Sequence, residues 1–345
     1  MPMRITVQNK NGELAFDCGE RESILYAGLR QGINLPFECA TGTCGTCRAR
    51  IVSGDVDVRW KEAPGGKRLK PEKGDILMCQ AWARSDCVLL VPSELVVSGQ
   101  SAPATRRGVI RGRRQLTKDV MHFDLHLDAP MSFKAGQFVV LGVTGIAGGR
   151  AYSIVNFEAD VSRLAFLIKR KPGGRFCDWL FETSTEAEVE VFGPLGRAIF
   201  RTDENRNFVC IAGGSGIAGM MSILECATQA DYFRDHRAAV YFGVRTLADA
   251  FYLEDLARYV ASSHGNLDVT LALSDEQIAA SLHAQFPILK LAQGMVHEVA
   301  AKGMGGWDSN AIVYAAGPSI MVDSALRWLI AGGVLIKNIR YDKFS

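Results

Sequence analysis

Residues 39–47 read Cys-Ala-Thr-Gly-Thr-Cys-Gly-Thr-Cys, a C-x4-C-x2-C run, and a further cysteine, Cys79, follows 32 positions after Cys47. Three close thiols and a distant fourth are the ligand pattern of a [2Fe–2S] core. Gly42 and Gly45 keep side chains out of a loop whose backbone N–H groups must approach sulfur. Zinc sites favour paired C-x2-C units, and this loop has one; it also lacks the histidines of a Rieske centre. The metal ligands predicted are therefore Cys39, Cys44, Cys47 and Cys79.

Around this loop, residues 1–98 alternate in short runs. MRITVQ and ELAFDC flank NKNG and predict a hairpin; SILYAGLRQG has helical spacing, with Ser23 as its cap and Gly32 as its stop. CRARIVSGDVDV and CVLLVP read as strands, giving a small β-rich domain with one main helix. Residues 99–104 are polar and form a linker. From 105 to 203, VMHFDLHL, QFVVLGV, AYSIVNF, LAFLIKR and AEVEVFG predict an antiparallel barrel. The arginines at 106, 107, 111, 113 and 114 read as a solvated strand edge, with docking of an acidic partner as the alternative. From 204 to 345 strands and helices alternate, the pattern of a parallel sheet with crossover helices.

Composition excludes several classes. With 39 Lys+Arg against 37 Asp+Glu the chain carries +2, which offers no field for nucleic acid or an anionic membrane. A hydrophobic fraction of 48% and a mean hydropathy of +0.06 describe a globular protein. Nine cysteines, an odd number, behind the start MPMRITVQNKNGELAF argue against a disulfide framework and a secretory signal, and predict a cytoplasmic protein. The charge-free run 208–224 contains four glycines and reads as strand, loop and helix start rather than a membrane span.

Two further motifs carry chemistry. Arg150-Ala151-Tyr152-Ser153 stands after GIAGG at the opening of a strand, and KRKPGGRF follows at 169–176. An arginine can pair a phosphate, a tyrosine can pack on a flavin and a serine can reach a ring nitrogen; Gly173 and Gly174 open a helix whose amides suit a pyrophosphate. GGSGIAG, 213–219, contains Gly214-x-Gly216-x-x-Gly219 between a strand and a helix, the setting a dinucleotide loop requires. At the tip of the next strand, where an acid binds ribose in the ordinary dehydrogenase version, Arg245 stands instead. His122 and His126 share a strand face without a third ligand and read as structural.

In this order (cluster, flavin, nicotinamide) the chain resembles the reductase components of bacterial multicomponent oxygenases, which fuse a plant-type ferredoxin domain to a ferredoxin–NADP reductase-like module. The cysteines, RAYS, KPGGRF, GGSGIAG and Ala315-Ala316-Gly317-Pro318 carry the resemblance; WKEAPG, GMVHEV and the ending YDKF look most like toluene monooxygenase reductases. KPGGRF and YFGVRT stand equally close to reductases of Rieske-type ring-hydroxylating dioxygenases. The resemblance implies a β-grasp ferredoxin domain, an antiparallel FAD barrel and a parallel-sheet NAD(P) domain. It implies that Arg150, Lys169, Gly173, Gly174, Arg175 and Phe176 hold FAD, with Tyr152 and Ser153 at the reacting ring. Gly213, Gly214, Ser215, Gly216, Arg245, Ala316, Gly317, Pro318 and Phe344 would serve the nicotinamide side. Ala316 replaces the family's cysteine, which bears on hydride transfer, and Gly219 replaces its proline. The implied activity passes electrons from NADH, in preference to NADPH, through FAD and the cluster to a ferredoxin or oxygenase component. The alternatives are a reductase serving a deoxysugar dehydratase and a redox-sensing interaction protein.

Overall fold

The computed structural model describes all residues except 93, 96, 98–101, 159–160, 184–185, 279–285 and 345. The expected linker at 99–104 thus lies in part outside the described residues. The chain divides into two compact units, Met1–Arg107 with Val139–Ala151 and Val189–Leu195, and Gly108–Phe138 with Tyr152–Glu188 and Gly196–Ser345.

In the first unit the expected hairpin is β1 (Met3–Asn9) and β2 (Gly12–Cys18), paired antiparallel. Helix α1 (Ile24–Arg30) starts at Ser23, whose hydroxyl accepts from the Tyr26 N–H at 3.3 Å, and Gly32 follows it in the left-handed region at φ +78°. It packs closely on β2: a Cβ on Gly28 would stand 3.2 Å from the Phe16 ring and 2.4 Å from Leu35. β3 (Arg48–Ser53), β4 (Val56–Val58), β5 (Asp75–Leu77), β6 (Ala81–Ala83) and β7 (Cys87–Leu90) complete the unit's N-terminal part. The order β2-β1-β7-β3-β5, with β1 and β7 parallel, and a small β4-β6 pair make a β-grasp fold.

Six strands form a second sheet: β8 (Ala104–Thr117), β9 (Val120–Met131), β10 (Phe138–Val143), β11 (Ile146–Ser153), β12 (Val161–Lys169) and β13 (Ala187–Leu195), in the order β11-β10-β13-β8-β9-β12. Two expectations are corrected here. The arginines at 106–114 lie on β8, which is interior to this order and not an edge, so the strand's hydrogen bonds are taken on both sides. RAYS closes β11 instead of opening a strand, because Ile146 and the glycines that follow it are already paired. After β12, helix α2 (Arg175–Glu182) begins at Gly174, with Gly173 at φ +73°.

The second unit's parallel sheet is built from β14 (Phe208–Gly213), α3 (Ile217–Gln229), β15 (Ala238–Val244), α4 (Leu253–Ala261), β16 (Leu267–Leu273), β17 (Lys290–Gln293), α5 (Val296–Gly303), β18 (Ile312–Pro318), α6 (Ser319–Ala331) and β19 (Ile339–Phe344). Its order is β17-β16-β15-β14-β18-β19, every pair parallel. β14 is buried throughout because both faces are covered. Phe208, Cys210 and Ala212 belong to one core, Val209 and Ile211 to the other. The charge-free run 208–224 is accordingly β14, a tight turn and the start of α3, and among the described residues no helix is long and apolar enough to cross a membrane.

Candidate active site

The cysteine loop joins α1 to β3. Cys39 is half-buried, Cys44 exposed and Cys47 buried, while Cys79 comes up buried from a short turn, Met78–Gln80. The sulfurs fall into two pairs. The N–H groups of Cys39 and Cys44 each donate to the other's Sγ, at 3.5 and 3.4 Å, and Cys47 Sγ lies 3.1 Å from Cys79 Sγ. Thr41 and Thr46 add N–H bonds to Cys39 and Cys44 Sγ, both at 3.4 Å. Among the described residues no three His, Cys, Asp or Glu side chains converge as for a single metal ion. Two thiolate pairs are what a two-iron core requires, one pair for each iron. The hydrogen bond from the Cys44 thiol pulls Cys39 down to about 4, whereas its bond to Cys39 pushes Cys44 up; its bond with Cys47 likewise pushes Cys79 up. Neighbouring thiols cannot both ionise unaided, and iron lifts that restriction.

Backbone geometry makes the loop specific. Ala40 sits at φ +57°, unusual for a residue with a Cβ, and the Tyr26 hydroxyl donates to its carbonyl at 3.0 Å. The Tyr26 ring stacks on Phe192 of β13, centroids 4.1 Å apart and 13° from parallel. Gly45, at φ +84°, lies against a second loop: its Cβ would stand 2.7 Å from the Gly65 carbonyl oxygen. A Cβ on Gly65 would in turn stand 2.4 Å from the Gly45 nitrogen, and Gly65 N–H donates to Gly42 C=O at 2.9 Å. Gly65 and Tyr26 were not among the sequence candidates. The only hint was the glycine pair within WKEAPGG, since each residue's role depends on a distant backbone atom.

The other four motifs, RAYS, KPGGRF, GGSGIAG and the Ala315–Pro318 segment, are linked within the second unit through three contacts. The Tyr152 ring, near the end of β11, lies 5.5 Å from that of Phe176 in the first turn of α2, which joins RAYS to KPGGRF. A Cβ on Gly219 in α3 would rest 3.6 Å from Ser153 Cβ, an ordinary packing distance, which joins RAYS to GGSGIAG. Gly216 meets β18: its Cβ would stand 2.1 Å from the Ala316 carbonyl oxygen. Ser222 fixes the start of α3 beneath them, accepting from Gly136 N–H and donating to Gly219 C=O, both at 2.9 Å.

The nucleotide loop leaves the C-terminal end of β14. From β14 the sheet grows one way through β15 and the other through β18, the topological switch where open α/β sheets bind ligands. Gly214, Ser215 and Gly216 form the turn after Gly213, the last residue of β14, and Gly317, at φ +143°, would place a Cβ 2.9 Å from Gly213 O. Pro318 pairs with Phe344 in the β18–β19 register, and Ser319 Oγ donates to Phe344 C=O at 3.2 Å. Arg245 is exposed past β15, and its carbonyl accepts from Asp275 N–H at 2.9 Å. Beside it Glu276 accepts from Leu247 N–H at 2.6 Å. Asp275 and Glu276 follow the end of the adjacent strand, β16, a position the dinucleotide-loop pattern does not single out because it points to the tip of β15.

Other candidates are placed apart from these contacts or tied elsewhere. Lys169 Nζ pairs with Asp119 at 3.1 Å. Arg150, on β11, donates to Gly149 C=O at 2.9 Å, and Arg175 is exposed at the start of α2. His122 Nδ1 lies 2.8 Å from the Tyr252 hydroxyl and its Nε2 3.5 Å from Asp124, an arrangement within the fold.

Sequence comparison agrees with this division of labour. Residues 5–84 match the 2Fe-2S iron-sulfur cluster binding domain, 108–200 the oxidoreductase FAD-binding domain and 210–327 the oxidoreductase NAD-binding domain. The ferredoxin–NAD(+) reductase component of the alkene monooxygenase system of Xanthobacter autotrophicus Py2 is 33% identical over 338 residues, 97% of this chain and 99% of that one. The chain belongs to the oxygenase reductases. The reductase is also 30% identical to the ferredoxin–NAD(P)(+) reductase CarAd of Metapseudomonas resinovorans, covering 96% of this chain and 98% of that one. The solved ferredoxin reductase of carbazole 1,9a-dioxygenase superposes with a TM-score of 0.86 at 28% identity, over all of this chain and 99% of the other. The reductase thus takes three cofactors, a [2Fe–2S] cluster, FAD and NAD(H), and the expected three-part fold is the observed one.

Proposed function

We propose that the reductase oxidises NADH and delivers the two electrons one at a time to the ferredoxin or terminal component of an oxygenase: NADH + 2 A(ox) → NAD⁺ + H⁺ + 2 A(red). Bound FAD takes electrons in a pair and gives them up singly, and the cluster carries one at a time. The single observation that carries this reading is the Ser153–Gly219 contact, which sets the strand end assigned to flavin against the helix assigned to nicotinamide.

Each residue has a task in this reading. Tyr152 supplies a ring face held by Phe176, and Ser153 a hydroxyl beside the hydride path. Arg150, Gly173, Gly174, Arg175 and Phe176 hold the FAD phosphates and pyrophosphate; Lys169 reaches them only by leaving Asp119. Gly213, Gly214, Ser215, Gly216, Gly317 and Pro318 admit the dinucleotide, with Ala316 and Phe344 at its reacting end. Asp275 and Glu276 beside Arg245 favour a ribose hydroxyl over a 2′-phosphate, supporting NADH. We assign the ferredoxin domain to 1–98, the linker to 99–104, the FAD domain to 105–203 and the NAD domain to 204–345, in a cytoplasmic protein.

An anaerobic visible spectrum before and after NADH tests the route. Flavin and cluster bands both bleach if it holds. In Cys79→Ser the flavin still bleaches while the cluster band and reduction of a protein acceptor are lost. Failure of flavin reduction in this variant, with FAD bound, overturns the order of transfer, and a clear NADPH preference overturns the assignment of Asp275 and Glu276.

A further inference from the structure

The exposed cysteine of the cluster loop opens on a cleft of about 440 Å³ between that loop and residues 64–69, lined by Cys44, Thr46, Arg48, Lys67, Arg68 and Leu69 among others. Three of its lining side chains, Arg48, Lys67 and Arg68, are basic and none is acidic. Lys61 and Lys70 flank them in the sequence, with Glu62 the one acid of residues 59–70, while Arg59 lies over the Trp82 ring at 4.1 Å. Lys67 and Arg68 are exposed and form no ion pair among the described residues. Arg48 is shared with Asp75 at 2.7 Å, and the loop's own acid, Glu38, accepts from Thr46 Oγ1 at 3.1 Å. A chain of net charge +2 has therefore gathered cations beside the one cluster cysteine that is exposed. The Gly45–Gly65 contact holds the backbone of residues 64–69 against the cysteine loop, which brings Lys67 and Arg68 to the cleft beside Cys44.

We propose that this cleft docks an acidic segment of the electron-accepting protein, whose carboxylates pair with Lys67 and Arg68 and seat the acceptor against Cys44. Charge complementarity carries the assignment: like-signed side chains lining a concave surface attract and orient an oppositely charged partner. The inference rests on the electron-transfer reading above, but docking is measurable without electron flow.

The test is isothermal titration calorimetry on the oxidised, full-length holoprotein without NADH. The probes are cytochrome c, which is lysine-rich, and the same protein with its lysines succinylated. The succinylated form is expected to bind and the native form not, with affinity falling at least about tenfold between roughly 20 and 200 mM NaCl. Lys67→Glu/Arg68→Glu should lower it at least about tenfold at low salt, Lys67→Gln/Arg68→Gln by an intermediate factor, and Arg107→Glu/Arg114→Glu far less. The visible spectrum reports cluster retention, and the Gln pair decides if the Glu pair loses its cluster. Absence of binding by the succinylated probe, salt-independent binding, or loss confined to the 107/114 variant overturns the proposal. Binding that persists where NADH fails to bleach the flavin overturns the electron route and leaves the cleft standing.

Discussion

A buried carboxylate is stable only when its charge is answered, and Asp75 at the start of β5 is answered by Arg48 at 2.7 Å, Arg50 at 3.1 Å and the Lys70 N–H at 3.1 Å. Burial works against its ionisation, and the Lys70 N–H and the two arginines overcome that, holding the carboxyl below its usual value. A depressed folded value contributes stability above the unfolded one, about 3.9, and that contribution fades as pH falls through the folded value. Asp75→Asn should therefore cost about 1–3 kcal/mol near pH 7. The temperature at which the cluster band is half lost should drop in the variant, and the gap should close below about pH 4. The four cysteines proposed as ligands were legible at this scale because iron dictates residue type and spacing together. Tyr26 and Gly65 were not, because a hydroxyl reaching Ala40 and a missing Cβ near Gly45 are explained only by atoms distant in the chain.

Elements transmit such local requirements across the fold. The turn from β14 into α3 contains two glycines with opposite constraints. Gly216 has the Ala316 carbonyl oxygen 2.1 Å from its would-be Cβ, whereas Gly219 has only ordinary contact with Ser153 at 3.6 Å. Gly216→Ala should part the β14 and β18 loops and raise KM for NADH at least about tenfold, equivalent to about 1.4 kcal/mol, while FAD content holds. Gly219→Ala should fit and steady α3 by about 0.5–1 kcal/mol, seen as a higher Tm. Steady-state kinetics and flavin absorbance on the two variants separate these outcomes. The strand-loop-helix order here was readable because hydrophobic run, glycines and helical period follow one another in sequence. β17, α5 and β19 were not, since β17 is four half-exposed or exposed residues and carries little apolar pattern. β8 was misread as an edge because its arginines look solvated, while its neighbours in the sheet are set by strand order alone.

At the scale of the molecule, the second unit is closed by its C-terminal strand. Arg340 of β19, 16% exposed, donates to Glu204, to Ile199 C=O and to the Tyr314 hydroxyl, and so ties the segment after β13 to the parallel sheet. Arg340→Met should cost about 2–4 kcal/mol in urea unfolding because Glu204 and a carbonyl lose their partner; Arg340→Met with Glu204→Gln should recover part of it. The linear order of the chain adds a constraint in time. All four cysteines proposed as ligands precede residue 80, β8 begins only at Ala104 and β13 ends at Leu195. A ribosome adding roughly 5–20 residues per second takes about 6–23 s to travel the 116 positions from Cys79 to Leu195. For that interval the nascent polypeptide displays a full set of thiols with no flavin sheet completed behind them, so iron and sulfide can be delivered to an unfinished protein before FAD has a place to bind.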